Sequence, residues 1–255
     1  MRLVLAALFL AACSTDTFVS PDAATESGTA DAGPDAPACT PQLHACGANA
    51  LCANFDDGTT GGFTGYTVGA ASATVSPALF VSCPNGLATR LDTIDAGATD
   101  FFGGVVGSLT VGTPQDVNAK LAVQVVLPPK PPGEVLVFMS IAANQNASTS
   151  VSLSYISGEW QLRAGSTSTS LDPLTSSWNP ITLKVHFTAG TGNNGSAELD
   201  FVNSSNQPDT KNIGLQPLSV QSISSVNATF GVGTLTATTD PTLVTYDDAV
   251  FSLGL

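Results

Sequence analysis

The stretch Ile181-Thr182-Leu183-Lys184-Val185-His186-Phe187 carries the clearest structural signal in the chain. Apolar and polar residues alternate through it without a break. Successive side chains of a β-strand point to opposite faces, so Ile181, Leu183, Val185 and Phe187 share one face and Thr182, Lys184 and His186 the other. One face belongs to a core and one to water. Working outward, the signature recurs. Gly190 to Gly195 reads as a loop, Ala197 to Val202 as the next strand, and Ser205 to Asp209 as a turn. Upstream, Val151-Ser152-Leu153-Ser154-Tyr155 alternates in the same way, Ser157-Gly158 is a turn signal, and Trp160 to Arg163 returns as the partner strand. Leu121 to Leu127 is an apolar run stopped by Pro128-Pro129, because proline cannot donate to a ladder. Val135 to Ala142 follows the turn Lys130-Pro131-Pro132-Gly133, and Phe230 to Val232 and Val244 to Phe251 complete the set. That is roughly a dozen short strands at the spacing of an antiparallel sandwich or barrel. No window after residue 38 carries a helical period.

Composition narrows the class. The 255 residues carry 20 acids and 7 bases, a net charge of −13, with 43% hydrophobic but only 11% charged side chains. Apolar content is too high for a wholly disordered chain. The acidic excess argues against a nucleic-acid partner, which needs a basic footprint to neutralise phosphate. No apolar run reaches membrane-spanning length.

The N-terminus reads as an address. Arg2 supplies a positive charge, residues 3–12 are apolar, and Cys13 follows. This is the pattern of a secretory signal. Leu10-Ala11-Ala12-Cys13 resembles the lipobox of bacterial lipoproteins. The resemblance implies cleavage before Cys13, lipidation of its sulfur and attachment to a membrane through the lipid; Ser14 in place of aspartate implies the outer membrane. Residues 14–38 hold five acids, no base and only Phe18 and Val19 as large apolar residues. Such a segment cannot bury enough surface to offset the entropy of ordering, so it reads as a flexible acidic tether. The expected division is 1–12 signal peptide, 13–38 lipidated cysteine and tether, and 39–255 folded domain. One domain of that length can bury a sufficient core.

Four cysteines remain in the domain: Cys39, Cys46, Cys52 and Cys83. An exported chain with an even count points to two disulfides, with three pairings available. Cys39–Cys46 as a local clasp and Cys52–Cys83 as a longer tie are the expected pairs. Zinc is the alternative, but there is no Cys-x2-Cys pair, and His44 and His186 are far apart in sequence.

Further short motifs bear on the type of sandwich. They are Asn54-Phe55-Asp56-Asp57-Gly58, read as an opening strand; Thr245-Tyr246-Asp247-Asp248-Ala249-Val250-Phe251, read as a closing strand; and Ser177-Trp178-x-x-Ile181-x-Leu183-x-Val185, followed by a Gly-rich loop and Glu198-Leu199-Asp200-Phe201. Over about residues 50–255 these resemble the concanavalin-A-like jelly rolls, a group that includes laminin-G-like modules, legume-type lectins and some glucan hydrolases. The resemblance implies an all-β antiparallel jelly-roll sandwich.

The candidate sites follow. Glu198-x-Asp200-x-x-Asn203 is similar to the Glu-x-Asp-x-x-Glu strand of laminarinase-type hydrolases, in which the first Glu is nucleophile and the last is acid/base. Retention needs both carboxyl groups, and the amide of Asn203 cannot shuttle the proton. Glu198 and Asp200 are therefore the catalytic candidates, against a reading in which both are outward carboxylates with Leu199 and Phe201 inward. Asp56, Asp57, Asp247 and Asp248 are the metal candidates. Jelly rolls often set first and last strands side by side, carboxylates so gathered repel unless a cation intervenes, and calcium prefers oxygen ligands. Sugar-binding faces use aromatic rings; Tyr66, Tyr155, Tyr246, Trp160 and Trp178 are available. Trp160, beside Arg163, is the ring expected at the surface, and Trp178 is expected in packing. No Gly-x-Ser-x-Gly elbow occurs. The sequence carries three readings: a non-catalytic lipoprotein that binds glycan or another surface ligand, a β-glucan hydrolase with an atypical site, and a purely structural or adhesion protein.

Overall fold

The computed structural model describes residues 46–69, 71–77, 85–92, 101–112, 116–128, 131, 135–146, 149–189, 195–214, 222–234 and 241–254. Among them run fifteen strands: β1 (Ala50–Ala53), β2 (Thr64–Val68), β3 (Ala71–Ser76), β4 (Gly86–Leu91), β5 (Phe101–Thr110), β6 (Val117–Val126), β7 (Val135–Ala143), β8 (Ser150–Ile156), β9 (Glu159–Ala164), β10 (Thr167–Ser170), β11 (Asn179–Phe187), β12 (Ser196–Val202), β13 (Pro208–Gly214), β14 (Ser225–Thr234) and β15 (Thr242–Gly254). Every strand pairing is antiparallel. They form two sheets. The eight-stranded one runs β13-β12-β11-β6-β15-β4-β3 with β1 also against β15, and the seven-stranded one runs β10-β9-β8-β7-β14-β5-β2. The fold is the antiparallel jelly-roll β-sandwich.

The alternation in the sequence sets the packing. In β11 every odd residue from Asn179 to Phe187 is buried and every even one is half-buried or exposed. β6 alternates likewise, and the two strands pair in register from Asn179 with Val125 to Phe187 with Val117. Leu121, Val123, Ile181, Leu183 and Val185 from this sheet join Leu136, Ile141, Leu153, Leu162 and Phe230 from the other in one core. First and last strands lie side by side: Ala50 to Ala53 pair with Ser252 to Ala249.

Tyr246 links the sheets. It is fully buried, with its ring 5.3 Å from that of Phe230. Its hydroxyl lies 2.6 Å from the Gly231 carbonyl and 2.8 Å from the Phe138 carbonyl, across the sandwich. Both carbonyls lie where ladder register skips, between Phe230 and Gly233 in β14 and between Val137 and Met139 in β7. Gly231 has φ 154°, and a Cβ there would meet the Gly103 carbonyl at 2.2 Å, so only glycine fits the bulge.

Two expectations are corrected. The opening strand is Ala50–Ala53; residues 54–58 turn away from the ladder, with Phe55 at φ 60° and the Gly58 amide donating to the Phe55 carbonyl at 2.9 Å. The disulfide joins Cys46 to Cys52, which replaces Cys39–Cys46 and Cys52–Cys83. A turn in which the Ala50 amide donates to the Gly47 carbonyl folds the chain back at the start of β1. It brings the two Cα atoms to 5.9 Å, within bridging range. Cys39 and Cys83 lie outside the described residues, as do Cys13, the signal region, the tether and His44.

Candidate functional site

Each sheet turns one face outward, and the two faces differ in chemistry. On the eight-stranded sheet, Lys120, Lys184 and Glu198 lie in one cross-strand row, and Ala122, Thr182, Asp200 and Thr210 in the next. Glu198 and Asp200 point outward, with Leu199 and Phe201 in the core. Lys184 sits between the carboxylates, bonded to Glu198 and 2.7 Å from Asp200. Thr210 also donates to Asp200 at 2.8 Å. Burial would raise the Asp200 carboxyl, but the Lys184 and Thr210 bonds and the charges of Lys184 and Lys120 outweigh it and hold it below the ordinary carboxylate value. The hydrogen bonds that Lys184 donates to Asp200 and then Glu198 raise its own value in turn. A carboxyl held ionised cannot serve as the general acid of a glycosidase. Asn203, where that acid would stand, instead shapes the β12–β13 turn by accepting from the Ser205 and Gln207 amides. His186 contacts the Asn118 side chain at 2.8 Å.

The four aspartates are placed by the β1–β15 pairing. Asp56 and Asp247 are buried, Asp248 is half-buried and Asp57 is exposed. The Thr59 hydroxyl and amide bind Asp57 and hold its carboxyl below the usual value. Asp248, at φ 48°, occupies the bulge between Asp247 and Val250 and donates its amide to the Asp247 carboxylate. Asn85 donates its side-chain amide to the Asp56 carbonyl. Among the described residues no three His, Cys, Asp or Glu side chains gather in a way that could hold a metal ion.

The outward face of the seven-stranded sheet is a wall of hydroxyls and amides. One row runs Ser168, Arg163, Ser152, Ser140, Thr229, Val106, Thr64, from β10 to β2. The Ser140 and Thr229 hydroxyls are 2.6 Å apart, and those of Ser152 and Ser154 3.1 Å. Gln161 stands beside Ser154, and Asn227 between Ala142 and Ser108. Asn227 is 8% exposed, and neither atom of its amide has a hydrogen-bond partner among the described residues. At the β2 end, Tyr66 is half-buried, its ring 6.0 Å from Phe102. It faces Gly104 and, beyond it, Gly231, two positions without side chains.

Trp160 is not on this wall. It is 3% exposed and packs against Phe138 and Tyr155 at 5.0 and 5.2 Å. The expectation of an exposed ring fails because Trp160 and Arg163 are three residues apart in a period-two strand and so take opposite faces. Trp160 is in phase with the buried Leu162 and Ala164. Trp178 is half-buried just before β11. Sequence reasoning passed over Asn227 and Thr229, although Ser225-Val226-Asn227-Ala228-Thr229 carries the same alternation as β11.

No family model matches the chain, and no curated protein matches it in sequence. Solved structures do match. An endo-β-1,4-glucuronan lyase from the fungus Trichoderma reesei superposes with TM-score 0.51 at 10% identity, over 80% of this chain and 94% of the lyase. The fold is shared with polysaccharide lyases. A PL-14 alginate lyase from Aplysia kurodai matches with TM-score 0.50 at 12% identity, over 71% of this chain and 86% of that one. The lectin UEA-II, solved with galactose, matches with TM-score 0.44 at 10% identity, over 76% and 93%. Identities this low speak for the fold alone.

Proposed function

We propose that this protein is a non-catalytic glycan-binding module, and that the outward wall of the seven-stranded sheet is its binding surface. The observation that carries the reading is the wall's make-up. Serine, threonine, asparagine and glutamine side chains stand in register across it, with a half-buried tyrosine at one end. A sugar needs a ring to cover its C–H face and polar groups to meet its hydroxyls, and this wall supplies both. The buried, unpartnered Asn227 amide supports the same reading. Buried polar groups in folded proteins are nearly always bonded, so the Asn227 amide calls for a partner that a water or a ligand hydroxyl would supply. Glycan partners are also in keeping with the sugar-directed proteins that share the fold.

Turnover has no comparable support. Elimination or hydrolysis needs an acid and a base on the same sugar. Among the described residues, the wall's ionisable side chains are Tyr66, Glu159 and Arg163. Tyr66 and Arg163 are separated by five inter-strand spacings, about 24 Å. The hydrolase candidate on the opposite face is held in the Lys184 ion pairs. As part of the proposal, Cys13 carries lipid and the tether holds the domain at the bacterial outer membrane. A Cys13→Ser chain is expected in the soluble rather than the membrane fraction.

The test is a glycan array probed with the full chain and with Tyr66→Ala, in calcium and again in EDTA. Specific binding that weakens at least tenfold in Tyr66→Ala and persists in EDTA is the expected result. A blank array in both conditions would overturn the reading in favour of a structural or protein-binding role.

A further inference from the structure

The wall is almost free of charge, which makes its one cation informative. Among the described residues of the seven strands, the charged side chains are Glu159 and Arg163, both on β9. Elsewhere Arg90 pairs with Asp92, Lys184 with Glu198 and Asp200, and Lys211 with Asp172 and Asp209, while Lys120 makes no ion pair among the described residues but adds its charge to the field at Asp200. Arg163 has no hydrogen bond or ion pair with any described residue. It is half-buried, between Ser152 and Ser168. Glu159 is four residues back along the strand, about 13 Å away, and accepts from the Ser170 hydroxyl.

A chain with 20 acids and 7 bases has carboxylates to spare for every guanidinium. This one pairs with no carboxylate among the described residues, with its planar fork of N–H donors turned to the wall. That fork matches the two oxygens of a carboxylate or a sulfate. The site has a second, independent mark. In the row next to Arg163's, three strands away, the unpartnered amide of Asn227 is aimed at the same face. Between them run Ser152, Ser140 and Thr229, a polar path of about 14 Å by inter-strand spacing. That is a track for an oligosaccharide rather than a single sugar.

Resting on the glycan reading above, we propose that the ligand is an anionic glycan, whose carboxylate or sulfate is taken by Arg163 while its hydroxyls meet the path towards Thr229 and Asn227. The net charge of −13 repels polyanions as a class, so their capture requires a dedicated cation on the binding face.

The experiment is calorimetric titration of the full chain with three oligosaccharides of equal length: a galacturonate oligomer, a sulfated oligomer and a neutral glucose oligomer. One acidic probe is expected to bind at least tenfold more tightly than the neutral one, and which acidic probe it is identifies the anionic group. Arg163→Gln is expected to erase that preference, at least a tenfold loss for the acidic probe with little change for the neutral. Its thermal midpoint should stay at the parent value, because Arg163 bonds no described residue. Equal binding of acidic and neutral probes, unaffected by Arg163→Gln, would overturn this inference and leave the glycan reading standing. No binding of any probe would overturn both.

Discussion

Tyr246 offers the sharpest test of how the sandwich is held. Tyr246→Phe removes one oxygen, leaves the ring against Phe230 and opens no cavity of consequence. The lost hydroxyl lies within hydrogen-bond distance of two carbonyls, Gly231 at 2.6 Å and Phe138 at 2.8 Å. Both belong to bulged segments, where the ladder skips and offers less of its own pairing. A hydrogen bond contributes about 1 kcal/mol net, and an acceptor left buried without its donor costs about 1–3 kcal/mol. The expected loss is therefore about 2 kcal/mol in urea unfolding, or about 4–8 °C in thermal midpoint for a domain of this size. A second signature comes from pH. Burial raises the Tyr246 phenol well above its usual value of 10.0, against a smaller lowering by the Gly231 bond. The folded state then holds its proton where the unfolded chain releases it. This contribution to stability is complete below pH 10 and is lost as pH climbs beyond it. Tyr246→Phe should unfold with a flatter alkaline limb than the parent. A loss below about 0.5 kcal/mol, with an unchanged alkaline limb, would refute the view that this hydroxyl ties the two sheets together.

Asp200→Asn should matter mainly in acid. The depressed Asp200 carboxyl stabilises the fold above its ordinary value of 3.8, and that support fades as pH falls through the folded value. Because Lys184 and Asp200 are 44% and 37% exposed, the variant should lose at most about 1 kcal/mol at pH 7 and show a flatter acid limb in pH-dependent urea unfolding. Asn227→Ala should leave stability unchanged or raise it, since it removes an amide with no partner among the described residues; a loss of about 2 kcal/mol in chemical unfolding would mean that the amide serves the fold. The double variant Cys46→Ser, Cys52→Ser should lose no more than about 2 kcal/mol, as expected for closure of so short a loop. Peptide mapping of the unreduced chain should recover Cys46 joined to Cys52.

Local patterning is enough to define the strands and the orientation of most side chains. Period-two alternation is a local property, and burial of one face is nearly its only stable outcome. It therefore placed Leu183 inside and Lys184 outside, and Leu199 and Phe201 inside with Glu198 and Asp200 outside. The same rule, applied strictly to β9, would have turned Trp160 inward; proximity to Arg163 in the chain was a poorer guide than phase. The rest required the tertiary structure because it depends on residues far apart in sequence. Lys184 meets two carboxylates only once β11 and β12 pair. Asn227, Ser140, Ser152 and Arg163 become one surface only when β14, β7, β8 and β9 line up in register, and the sequence does not state the order of strands in a sheet. The Cys46–Cys52 bridge depends on a backbone turn at residues 47–49, and the inter-sheet bond of Tyr246 on bulges in two other strands. Alternation tells each residue which way to face, while strand order and register decide what it faces.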